Sequence, residues 1–197
     1  MSFPFTSTII LEDDRALIRP LQKTDLEHLL PVASQTKELV QYSPYFIHNR
    51  KHLENYIDTS LHERSINFRY PFIIFDKQQK AIAGSSSFAN ISDKDQRVEI
   101  GWTWIGVDFQ KTGLNRHCKF LMLQYAFEAL QFERVEFKTD ARNQISRTAM
   151  EKLGAVYEGA LRSHTLMSDG LRRTTVYYSI LRAEWDEIKQ KLLKTRG

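Results

Sequence analysis

The strongest constraint on this chain lies between Arg97 and Thr139. Val98 to Ile105 is a dense run of β-formers. The turn Gln110-Lys111-Thr112-Gly113-Leu114-Asn115 follows it. Leu114, Cys118, Leu121, Tyr125 and Ala129 then recur at helical spacing up to about Leu130, and Arg134 to Thr139 returns as a strand. Strand, helix and strand in direct succession make a crossover unit, which places the two strands side by side and parallel. A strand that feeds a glycine turn into a helix also aims unpaired N–H groups and the positive dipole end at one point. That point suits a phosphate.

The flanking sequence supplies a sheet around this unit. Leu17 to Pro20 reads as a short strand, and Thr24-Asp25-Leu26-Glu27 as a capping box opening a helix with Leu26, Leu29 and Leu30 on its stripe. Asn49 is the expected N-cap of a second helix running to about Glu63. Tyr70 to Phe75 and Ala81 to Ala89 form a hairpin across Asp76–Lys80. A helix from Gln144 to Leu153 stops at Gly154. Val156 to Met167 and Thr174 to Leu181 pair across Ser168-Asp169-Gly170. The tail from Glu184 to Lys194 reads as an exposed helix. With no repeat, linker or low-complexity stretch, the pattern predicts one α/β domain over residues 1–197, with its core at about 15–182 and a helical tail at 184–195.

Composition narrows the function classes. The 197 residues are 42% hydrophobic and 26% charged, an ordinary globular balance. No run of about 18 apolar residues exists, so no membrane span is expected. The N-terminal Met1-Ser2-Phe3-Pro4-Phe5 lacks the features of a secretory signal, and Cys118 is the sole cysteine, so a cytoplasmic protein is expected. A net charge of +4 is too small to indicate nucleic acid. Lys111, Arg116 and Lys119 gather around the glycine turn, either to meet an anion or as a solvated helix face.

The order of these elements, with Gln110-x-x-Gly113-x-Asn115 and the later Asn143-Gln144-Ile145-Ser146, resembles the GNAT acyltransferases, and most of all the RimJ/RimL-type protein N-acetyltransferases. The resemblance covers residues 15 to 182. It implies the GNAT acyl-CoA N-acyltransferase fold, a mixed, mostly antiparallel sheet with a splayed parallel pair and flanking helices. It also implies that acetyl-CoA is co-substrate. On this reading the backbone of Trp104 and Ile105 would bond the pantetheine arm. The turn from Gln110 through Lys111, Thr112, Gly113, Leu114, Asn115 and Arg116 would cradle the pyrophosphate, and Asn143 would touch the arm from the opposite strand. Lys111 and Asn115 depart from the family's commoner glycine or alanine. Met150 stands where many members carry a tyrosine acid, and Ser146, by resemblance to RimL-type enzymes, is the candidate replacement. A serine in a first helical turn is equally an ordinary cap.

The attacking amine must lose a proton. Glu99 lies on the cleft-lining strand and shares a face with Gly101, which makes it the candidate base. It could instead pair with Arg97 or another cation. A backbone N–H near Ile105 would hold the oxyanion. His48 and His52 are spaced i, i+4, but nothing completes a metal site, and none is expected. Cys118 reads as core. Tyr42, Tyr45 and Phe46 either shape acceptor entry or anchor their loop. The resulting expectation is direct acetyl transfer from acetyl-CoA to a protein or peptide N-terminal amine. A small-molecule amine acetyltransferase, a non-catalytic acyl-CoA sensor and a nucleic-acid binder through Lys189, Lys191, Lys194 and Arg196 are kept beside it. The resemblance extends to a homodimer, and the modest charge and the lack of a long apolar run point to no nucleic-acid or membrane partner.

Overall fold

A computed structural model describes residues 2–194. Eight strands form one sheet: β1 (Leu11–Glu12), β2 (Ala16–Pro20), β3 (Arg69–Asp76), β4 (Ala81–Ser92), β5 (Arg97–Ile105), β6 (Arg134–Asp140), β7 (Val156–Leu166) and β8 (Arg172–Leu181). Their spatial order is β1-β2-β3-β4-β5-β6-β8-β7. Every neighbouring pair is antiparallel except β5 and β6. The crossover read from the sequence is therefore the one parallel element, carried by α3 (Leu114–Gln124) and a π-turn over Tyr125–Ala129. Among the described residues no helix is long and apolar enough to cross a membrane.

The remaining helices are α1 (Leu26–Ala33), α2 (Arg50–Ser65), α4 (Gln144–Leu153) and α5 (Trp185–Lys194). Adjacent residues of a strand point to opposite faces, which fixes where the helices lie. Ser85 hydrogen-bonds Tyr56 of α2 at 3.2 Å, whereas Ser86 meets Lys119 of α3 at 3.4 Å. The two helices thus cover opposite faces of β4 and β5.

Local expectations hold at α2, where Asn49 accepts from the His52 N–H at 2.9 Å. The first capping box is displaced. Asp25 takes the role expected of Glu27, accepting from the Gln22 N–H at 2.8 Å while Arg19 grips its carboxylate. The arginine is supplied by β2, so no local pattern could reveal it. The tail also differs from expectation. Trp185, Ile188 and Leu192 are buried, with Trp185 packed on Phe120 and Phe127, so α5 is an amphipathic cover and not an exposed helix. Arg196 lies outside the described residues.

Two features bind β5 in place. At Gly84 the β4 backbone passes so close to β5 that an added Cβ would lie 2.1 Å from the Trp104 carbonyl oxygen. On the other face Lys119 donates to Thr103 Oγ1 at 2.6 Å, tying α3 to the same stretch. Removal from water pushes the Lys119 pKa down to about 8 from its ordinary 10.5.

Gly84→Ala should cost about 1–3 kcal/mol, since neither backbone can retreat without breaking ladder bonds; a melting temperature equal to wild type refutes this. Lys119 supplies a pH signature. Its folded-state pKa is depressed, so between about pH 8 and 10.5 the unfolded chain holds the extra proton, and the Lys119 contribution to stability rises with pH across that window. Denaturant titrations of wild type and Lys119→Met should diverge over this range, the variant lacking the rise.

Candidate active site

The site begins where β5 and β6 separate. Their parallel register covers Arg97↔Arg134, Val98↔Val135 and Glu99↔Glu136 only. Beyond Glu99 the strands part, while β5 keeps its other edge on β4 up to Gly84↔Ile105. A β-bulge lies within this free stretch, because Gly101 faces Ser87 whereas Trp104 faces Ser85, and Trp102 takes a φ of 49°. Under the bulge Arg69 is 1% exposed. Its guanidinium sits 5.0 Å from the Trp102 ring and is anchored to Ser60 and Glu63 of α2. Sequence reading missed Arg69; its only signal was a lone arginine opening a dense β run.

Main-chain direction follows from the ladder. The Gly106 N–H donates to Ala83 O at 2.9 Å, toward β4. Ile105, one residue earlier, therefore turns its N–H and carbonyl into the splay. Gln110 Nε2 donates to that carbonyl at 2.9 Å, so this side chain stitches the turn to the strand. After it, Lys111 and Gly113 adopt φ values of 60° and 90°, and the N-cap position of α3 is Gly113, which has no side chain to cap it. Thr112 Oγ1 is turned to the Phe109 carbonyl. Leu114 is fully buried, the Asn115 Oδ1 atom is buried with no partner among the described residues, and Arg116 is exposed. Thr112 Oγ1 also accepts from the Leu114 N–H at 3.4 Å, and the Arg116 N–H bonds the Gly113 carbonyl at 2.9 Å, so the turn closes onto the first residues of α3. Of the three cations expected there, Lys119 is withdrawn, because its ammonium reaches the sheet at Thr103.

Glu99 is 5% exposed and accepts from Asn90 Nδ2 at 2.5 Å and Lys138 Nζ at 2.8 Å. Gly101 clears the space for its carboxylate, since a Cβ there would sit 2.8 Å from Oε1. Of the cations expected as alternative partners, Arg97 or another basic residue, the pair is made by Lys138, reached across the parallel pair. Burial acts to lower the Lys138 pKa, but the charge and hydrogen bond of Glu99 outweigh it and hold it above the ordinary lysine value. Lys138 also lies 5.0 Å from the Tyr177 ring.

Across the splay, Asn143 Oδ1 accepts from the Ser146 N–H at 3.1 Å and caps α4. The cap role is thus taken by Asn143, and the half-buried Ser146 side chain is not needed for it. Met150 packs against the core. Cys118 is buried, and its pKa is pushed up to about 12 by burial, which makes it inert. The loop between α1 and α2 is pinned over the far end: Arg173 donates to the Tyr42 carbonyl at 3.0 Å, and Tyr45 packs 5.1 Å from the Tyr56 ring.

The chain and its fold resemble known proteins. The chain is 26% identical over 179 residues to the Bacillus subtilis (strain 168) protein named "Putative ribosomal N-acetyltransferase YdaF", covering 88% of this chain and 95% of that one. A solved structure of a GCN5-related N-acetyltransferase from Brucella melitensis superposes with a TM-score of 0.91 at 24% identity, over 98% of this chain and 88% of that chain. A T. thermophilus structure described as a "putative acetyltransferase" is 30% identical with a TM-score of 0.86, over 98% of each chain. Residues 15–156 match the family described as Acetyltransferase (GNAT) domain. That match spans well over half of the chain, and the chain belongs to the GNAT family of N-acetyltransferases.

Proposed function

We propose that this enzyme transfers an acetyl group from acetyl-CoA directly to the N-terminal amine of a protein or peptide. The observation that carries the reading is the splay itself. Beyond Glu99, β5 offers an unpaired main-chain edge that leads to the α3 N-terminus, an edge for an extended pantetheine arm and an electropositive end for its pyrophosphate. Lys111 and Arg116 stand at that end. The B. subtilis relative, named as a ribosomal N-acetyltransferase, supports a protein acceptor.

In the reaction the neutral amine attacks the thioester carbonyl carbon, and the carbonyl oxygen takes the negative charge. The Ile105 N–H, turned into the splay, holds that oxyanion. Glu99 accepts the proton that the amine sheds. Lys138 keeps a positive charge beside the incoming amine, which favours its neutral, nucleophilic form. The tetrahedral intermediate collapses with cleavage of the C–S bond, and the Ser146 hydroxyl donates to the departing thiolate in place of the tyrosine absent at Met150. Two substrates held at fixed range in one cleft lower the barrier by about 7–11 kcal/mol when alignment is good.

A thiol-release assay with acetyl-CoA over N-terminal peptides, polyamines and aminoglycosides tests the acceptor. Peptides should be turned over fastest; turnover of the small amines alone overturns the peptide reading. Glu99→Gln should lower kcat by about 10²–10⁴-fold with acetyl-CoA affinity retained. Ser146→Ala should lower kcat without raising the KM for acetyl-CoA, and wild-type kcat in either variant removes that residue from the mechanism.

A further inference from the structure

A groove of about 430 Å³ lies on the α2 side of the sheet, lined by Asn67, Phe68, Asn90, Ile91, Arg97 and Lys138. Two of these residues, Asn90 and Lys138, are the partners of Glu99. The groove therefore ends against the side chains that hold the proposed base. Its other walls differ in character. Phe68 is 44% exposed although it is a large apolar side chain, and Ile91 is half-buried. Arg97 carries the groove's available positive charge. Lys138 is taken by Glu99 and Glu136, at 2.8 and 3.6 Å. Arg97 has only a 3.4 Å bond to the Asn90 carbonyl and a 3.8 Å approach to Asp95, both long, and its side chain is 37% exposed.

We infer that this groove receives the acceptor chain just beyond its reactive amine and selects a chain with an acidic side chain at that point. The inference rests on the acetyl-transfer reading above and adds to it a sequence preference in the acceptor. The amine would sit toward Glu99. The following backbone would meet the Asn67 and Asn90 amides, which can both donate and accept. The next apolar surface would lie on Phe68 and Ile91, and a carboxylate would pair with the Arg97 guanidinium, whose planar fork suits two parallel hydrogen bonds. A basic acceptor chain would bring like charge against Arg97 and Lys138 and be rejected.

Fluorescence anisotropy with end-labelled hexapeptides of free N-terminus, identical except for Asp or Lys at the second and third positions, tests this without requiring turnover. Wild type saturated with CoA should bind the acidic peptide at least tenfold more tightly. Arg97→Glu should reverse the order while CoA binding stays unchanged. Lys51→Glu makes the same change of sign roughly 20 Å away, at the opposite end of α2, and should keep the wild-type order. Equal affinities in wild type, or a loss of order in Lys51→Glu as large as in Arg97→Glu, overturn the groove. Acetyl transfer measured on the same peptides separates the two claims. Transfer without charge preference rejects the groove alone, whereas Arg97-dependent binding without transfer supports the groove and rejects the transfer reading.

Discussion

The rest of this structure depends on how briefly β5 and β6 stay paired. Three register pairs join them, after which β5 continues along β4 and leaves its other edge open. An unpaired main-chain group removed from water costs about 1–3 kcal/mol, so an open edge inside a sheet needs a reason to persist. The reasons lie beside it. Gly84 lets β4 hold β5 at a distance that no side chain would permit, the bulge at Trp102 bends the strand away, and Arg69 supports the bulge from beneath. Gln110 satisfies one carbonyl of the free edge. The edge that remains is what the cleft is made of.

From that edge the chemistry runs in two directions. Toward the C-terminal end of β5 lie the glycine turn and the first amides of α3. Toward its paired end lies Glu99, enclosed by Asn90 and Lys138. On the proposed reading the acetyl donor and the proton acceptor lie along one strand, and the positions of both are set by a single register. Lys138 reaches Glu99 only because the strands are still paired one row away, at Glu99 and Glu136. Lys138 lies two residues past the last register pair, so its ion pair with Glu99 bridges the start of the separation and closes the base of the cleft.

Much of this was legible in the chain. The crossover, the helix caps at Asn49 and Gly154, the hairpins and the glycine turn all rest on local signals, because caps and turns are decided by the few residues that form them. The shared face of Glu99 and Gly101 follows from strand alternation alone. Less visible were contacts between elements far apart in sequence. Arg19 at Asp25, Lys119 at Thr103 and Arg69 beneath Trp102 each join residues whose pairing no local period announces. Lys119 is the instructive case: its place on the helix suggested a phosphate partner, and the long side chain turned inward to the sheet.

The sequence by itself determined the α/β class, the parallel crossover and the residue types available at its turn, since these follow from periodicity, chain direction and backbone chirality. The tertiary structure alone decided that β5 and β6 part after Glu99, that Lys138 and not Arg97 meets its carboxylate, and that Asn143 caps α4 and leaves Ser146 out of that role. The physical reason is that register, splay and ion pairing are set by the packing of strands against one another. A one-residue difference in where two strands separate leaves every local signal unchanged.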